Sequence, residues 1–191
     1  MTTLPHWYPG NEAKPAPMPL LIVQGFVNTL DLDEGTDHLP DAGAARDWFV
    51  EAGLLEPGSG VSDAELELAR AMRDSIRDLV ESEGGAQREV DLAPLRAVAA
   101  SHEARLEVRP DGVVALEQPQ LRNLGDGLFE LLLIIRAAQE DGSWSRMKIC
   151  GNEDCRWLFY DRSKNQRGHW CTMNTCGNRI KNRELRARRR G

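Results

Sequence analysis

Cys150-Gly-Asn-Glu-Asp-Cys155 and, fifteen residues further on, Cys171-Thr-Met-Asn-Thr-Cys176 decide how this chain is read, and they hold all four of its cysteines. Two short-spaced pairs separated by one hairpin's length suit a tetrahedral Zn²⁺ site, with Zn–S distances of about 2.3 Å. The four-residue gap within each pair lies at the long end of the usual spacing. Two disulfides are the alternative use of the thiols. Against them, the opening residues MTTLPHWYPGNEAKPAPMP lack the basic-then-apolar order of a secretory leader. The longest apolar-rich stretch, Leu128 to Ile135, is interrupted by Glu130 and is far shorter than the ~20 residues of a membrane span. A reducing cytoplasm, one structural zinc on Cys150, Cys155, Cys171 and Cys176, and no membrane partner follow as expectations. His169 is read as lying beside the metal or against phosphate rather than as a ligand.

The residues around the cysteines differ in charge from everything before them. From Trp144 onward thirteen Lys/Arg face four Asp/Glu, a formal +9, whereas the first 143 residues carry eleven against twenty-six, a formal −15. Four thiolates on Zn²⁺ add −2, which leaves the tail basic. A unit this small rarely buries enough apolar surface to fold without help, and a metal is the usual remedy. Trp144, Trp157, Trp170 and Leu158-Phe-Tyr160 would supply its apolar packing.

Three segments follow from composition. Residues 1–19 hold five of the ten prolines and read as a flexible or extended arm. Residues 20–142 read as a mainly helical domain, and 143–191 as the metal module. Within the domain, Leu20 to Asp31 is apolar and fits either a strand entering a turn or a short buried helix. Asp41 to Gly53 has helical spacing, with Gly53 as its stop. Ser62-Asp-Ala-Glu65 is a capping box that opens a helix with Leu66, Ala69, Met72, Ile76, Leu79 and Val80 on one face. Arg70, Arg73 and Arg77 alternate there with carboxylates and read as a solvated, ion-paired face. Asp91 to Ser101 is a short helix, and Arg105–Arg109 and Val113–Glu117 form a hairpin around Pro110-Asp-Gly112. Asn123 to Glu140 is the central helix or a dimer contact. Asn28, Thr29 and Asp31 are candidates for a ligand pocket, the alternative being that they cap the next element and satisfy backbone amides.

In the metal module, Trp157–Asp161 and His169–Cys171 read as two strands joined by the polar turn Arg162–Gly168. An unbroken helix then runs from the second cysteine pair to Arg190. The fold class is therefore α+β: a mainly helical domain with a β-hairpin, then a small treble-clef or ribbon-like finger ending in a basic helix. On that helix Arg179, Arg183, Arg186 and Arg190 share one face, with Lys181 beside it. Arg162, Lys164 and Arg167 lie in the polar turn. Arginine makes forked contacts to phosphate and guanine, so these eight residues are the candidate nucleic-acid contacts. A solvated basic tail, or one docked on the acidic domain, is the alternative.

The run Cys155-Arg-Trp-Leu-Phe-Tyr-Asp-Arg-Ser-Lys-Asn165, followed by His169-Trp-Cys-Thr-Met-Asn-Thr-Cys-Gly-Asn-Arg-Ile-Lys181, resembles the CGNR zinc-finger family of bacterial proteins. That family is named for the run seen here as Cys176-Gly177-Asn178-Arg179. Phe26-Val-Asn-Thr-Leu-Asp31, the helix end from Trp48 to Gly53-Leu54, and the Leu66–Val80 helix resemble the ABATE domain that usually precedes this finger. The resemblance implies zinc on all four cysteines, DNA binding and a role in transcription regulation, with an unknown effector or protein partner for the larger domain.

Catalysis has no support in the pattern. His6, His38, His102 and His169 are scattered, and GxSxG and P-loop motifs are absent. A fully thiolate-ligated zinc leaves no position for water. The expectation is a non-enzymatic DNA-binding regulator, with a homodimer as a further expectation because one finger offers few base contacts. An RNA- or protein-binding zinc module is the alternative. Losing Cys155 should unfold the finger and spare residues 20–140.

Overall fold

The computed structural model of the chain describes residues 4–10, 12–83, 89–117, 120–181 and 183. Helix starts follow their caps. Asp41 accepts from the Ala44 amide at the start of the helix Ala42–Glu51. Ser62 and Glu65 exchange bonds at the start of Asp63–Glu83, the Ser62 amide reaching the Glu65 carboxylate at 2.9 Å. Asn123 and Asp126 do the same at the start of Leu124–Glu140.

 The helices are α1 (Leu20–Val27), α2 (Ala42–Glu51), α3 (Asp63–Glu83), α4 (Ala93–Ser101) and α5 (Leu124–Glu140). Among the described residues, three two-stranded antiparallel ribbons accompany them: β1 (Leu30–Asp31) with β2 (Thr36–Asp37), β3 (Leu106–Val108) with β4 (Val114–Leu116), and β5 (Met147–Ile149) with β6 (Leu158–Tyr160).

The open choice at Leu20–Asp31 resolves as a helix followed by a short strand. Seven of the eight α1 residues are buried, so α1 is apolar all round because other elements enclose it. α5 packs against α1, α2, α3 and α4, and Leu124, Leu128 and Leu131 are fully buried. The segment considered as a dimer contact is thus core within its own chain. The expected hairpin forms in register, Leu106 opposite Leu116 and Val108 opposite Val114.

Three expectations are corrected. The described part of the arm is packed: Trp7, Tyr8 and Ala16 are buried, and the Trp48 indole N–H donates to the Trp7 carbonyl at 2.9 Å. A proline-rich, weakly periodic segment conceals this because its partners lie elsewhere in the chain.

The arginines of α3 are not a solvated face. Arg73 and Arg77 are 2% exposed. Arg73 forks onto Asp37 at 2.7 and 3.0 Å and also reaches the Thr29 hydroxyl. Arg77 donates to the carbonyls of Val27 and Leu30 at 2.6 and 2.9 Å, which caps the C-terminal end of α1. Arg70 does the same for Leu39 and Pro40. The segment between α1 and α2 has little ladder of its own, and these guanidiniums satisfy its carbonyls. Burial pulls the Arg77 pKa down to about 10, which leaves it charged at neutral pH.

The finger's ribbon also differs from expectation. β6 pairs with β5, so the ribbon encloses the first cysteine pair, and His169–Cys171 is not a strand. Its backbone meets the turn between those strands through the Gly151 amide, which donates to the His169 carbonyl at 2.9 Å.

Candidate metal centre

Alternation along β6 joins two cores. Leu158 and Tyr160 enter the core of the helical domain together with Trp144 and Met147, while Phe159 turns the other way and packs with the four cysteines, Trp157 and Trp170. The edge of β6 is closed by a side chain. Asn28, at the end of α1 and fully buried, accepts from the Leu158 amide at 2.9 Å and donates to its carbonyl at 2.8 Å, as a neighbouring strand would. Gln24 donates to the same carbonyl, and the Tyr160 amide donates to the Lys14 carbonyl. On the opposite flank, Arg156 forms ion pairs with Asp78 and Glu81 of α3 at 2.6 and 2.7 Å.

On this base the cysteines converge. Cys150 and Cys155 lie in the turn between β5 and β6, Cys171 lies just before a wide π turn at Met173–Gly177, and Cys176 lies within that turn. All four sulfurs are buried and lie within 4.8 Å of one another. Cys155 to Cys171 is 3.8 Å and Cys171 to Cys176 is 3.7 Å. A tetrahedron of 2.3 Å Zn–S bonds has edges of about 3.8 Å, so the donor set fits one zinc ion. Protonation agrees with that fit. Hydrogen bonds from Cys155 and Cys171 pull the Cys150 thiol far down, whereas Cys155 and Cys171 are pushed up, first by their bonding to Cys150. Sulfurs this crowded share protons, and a divalent cation is what lets all four ionise.

Two further residues build the centre. The Asn152 side chain is fully buried and its amide points at the Cys176 sulfur at 3.8 Å. The only sequence signal for it was a small amide inside the first cysteine pair. A Cβ at Gly177 would lie 2.8 Å from the Met173 sulfur and 3.2 Å from the Trp170 ring, so glycine at this position of the Cys-Gly-Asn-Arg run lets the Met173 side chain and the Trp170 ring close over it. His169 is exposed, stacks edge-on with Trp170 and is outside the sulfur cluster.

The remaining candidates divide. Asn28, Thr29 and Asp31 are each bonded to the backbone of the chain. Asn28 holds β6, the Thr29 hydroxyl donates to the Phe26 carbonyl, and Asp31 accepts from the amides of Asp33 and Glu34. Capping and backbone satisfaction account for them. Arg162, Lys164, Arg167, Arg179, Lys181 and Arg183 are exposed. Arg179 pairs with Asp33 at 2.5 Å and Arg183 lies 3.8 Å from Asp154, while Arg162 donates to the Pro15 carbonyl. Lys164, Arg167 and Lys181 have no side-chain partner among the described residues. Arg186 and Arg190 lie outside the described residues.

Residues 146–189 match the CGNR zinc finger, and residues 22–140 match the ABATE family, described as "putative stress-induced transcription regulator". The chain belongs to the ABATE family and carries a CGNR zinc finger. No curated protein matches it. Within this ABATE–CGNR chain the zinc is structural: four cysteines occupy its four positions and pin the β5–β6 turn to the π turn. Among the described residues no helix is long and apolar enough to cross a membrane.

Proposed function

We propose that the protein is a DNA-binding regulator in which the zinc finger contacts the nucleic acid and the helical domain takes an effector or protein partner. The observation that carries this reading is a zinc-fixed surface on which Lys164, Arg167 and Lys181 stand exposed and unpaired among the described residues, in a chain whose remainder is acidic. Charge neutralised inside the molecule does not attract phosphate, and this charge is not neutralised there. The protein acts by binding rather than catalysis, because four thiolates leave zinc no open position.

A cleft of about 460 Å³ between α4, the β3–β4 ribbon and α5 supports the effector half of this reading. His102 stacks on Phe129 at 5.0 Å there and faces Asp126 at 3.4 Å, with Arg105 and Arg122 on the rim. Selection of zinc-loaded protein on a randomised duplex library tests the DNA half. A recurrent motif is the expected result, and paired half-sites would extend it to a homodimer. Retention without a motif would favour a sequence-blind RNA- or protein-binding module.

A further inference from the structure

The loop from Arg162 to Arg167 is more tightly built than a solvated turn requires. Asp161, 2% exposed, lies at its base and accepts from the amides of Ser163 at 2.9 Å and Gly168 at 2.6 Å. A Cβ at Gly168 would sit 2.8 Å from that carboxylate, so the staple requires glycine. From the other side Arg146 donates to the carbonyls of Asp161 and Ser163 at 3.1 and 3.2 Å. The loop so pinned presents Lys164, Asn165, Gln166 and Arg167, all exposed. It stands between two hollows. One, of about 350 Å³, is lined in part by Lys148, Arg167 and His169; the other, of about 610 Å³, by Lys14, Arg162, Lys164 and Arg167.

We propose that this stapled loop is the element that enters a groove of duplex DNA, with Lys164 and Arg167 on phosphates and Asn165 and Gln166 at base edges. The proposal rests on the DNA-binding reading above and says which element does the reading. Three observations favour it. A ridge with cations on both flanks matches a groove bordered by two phosphate backbones, about 12 Å apart in the major groove. Asn and Gln between those cations are the side chains that pair two-fold with adenine. Single-stranded nucleic acid is bound on aromatic platforms, and the loop Arg-Ser-Lys-Asn-Gln-Arg-Gly contains no aromatic residue. Arg179, by contrast, is held by Asp33 of the helical domain, which makes it a clamp between the two parts. Pinning the loop beforehand lowers the ordering cost of binding.

The test uses zinc-loaded full-length protein and a fluorescent random-sequence duplex of roughly 20 base pairs, long enough for a site and its flanks, titrated over a range of salt. Lys164→Ala with Arg167→Ala should weaken binding about tenfold or more and flatten the log K against log[salt] slope by about 2. Arg179→Ala should leave that slope unchanged. Asn165→Ala with Gln166→Ala should keep the slope and erase base preference from the selected motif. Zinc content and circular dichroism confirm that each variant is folded. If wild type binds steeply but the double cation variant keeps the full slope, the loop assignment is overturned and the DNA reading stands. If wild type fails to retain the duplex, both fall. Tighter binding to a single strand of equal length would overturn the groove assignment.

Discussion

Arginines of α3 and cations of the finger look alike in sequence and do opposite things. Arg70, Arg73 and Arg77 turn toward a segment whose carbonyls lack ladder partners, and two of them are buried. Lys164 and Arg167 stand on a loop whose own carboxylate is already occupied by backbone amides. The difference is where unsatisfied acceptors lie. For α3 they are inside the molecule, as they are for Arg146 and Arg156 of the finger, whereas Lys164 and Arg167 meet none among the described residues. A count of basic residues therefore says little about nucleic acid until the acceptors have been located.

The largest effect should come from zinc. Because Met147, Leu158 and Tyr160 belong to the core of the helical domain, Cys155→Ser or chelation should shift one calorimetric transition of the whole chain, against the expectation that residues 20–140 stand alone. Two separate transitions would restore the two-unit view. Next, Arg73→Met removes the buried partner of a half-buried pair and should cost about 2 kcal/mol in urea unfolding. Arg77→Met, which strands two carbonyls, should cost about 2 kcal/mol. Unfolding curves that match wild type would return these side chains to the solvated face.

Acid should loosen both regions. Burial alone would raise Asp37 and Asp161, but hydrogen bonds from Arg73 to Asp37, and from the Ser163 and Gly168 amides to Asp161, outweigh it and hold both below the usual carboxylate value. Their stabilisation is full above an unfolded pKa of about 4 and is lost as pH falls through the lower folded values. Burial raises Glu12, so it opposes the trend, since its contribution declines as pH rises through its folded pKa. Urea midpoints measured downward from neutral pH should fall most steeply below about pH 4, and the Asp37→Asn variant should show a shallower fall. The smallest effect is Arg179→Ala: its solvent-screened pair with Asp33 should move the melting temperature barely, if at all.

Features set by neighbours in sequence were legible beforehand. The Ser62–Glu65 cap, the Pro110-Asp-Gly112 turn and the spacing of the cysteines each need only a few adjacent residues. What escaped reading depends on distant partners. Asn28 finds its acceptor and donor 130 residues away, and Arg73 meets Asp37 36 residues away. The arm fails for the same reason: Lys14 reaches the Trp170 carbonyl across 156 residues. Spacing identified the ligands of the metal, while Asn152, whose role is to face a sulfur, left no periodic trace.

The amide of Asn28 standing in for a strand has a consequence for signalling. A finger on a hinge could swing when the body binds something, but here the last residue of the α1 turn and the middle of the metal-bearing ribbon share two hydrogen bonds. The two parts behave as one lever with no joint. Displacing α1 must carry the ribbon with it, or else break Asn28 and Gln24 from Leu158 and part the shared core around Leu158 and Tyr160. On the proposed function, a message entering the helical body would thus reach the exposed face of the finger either as a whole-body shift or as a detachment, with no graded swing between them.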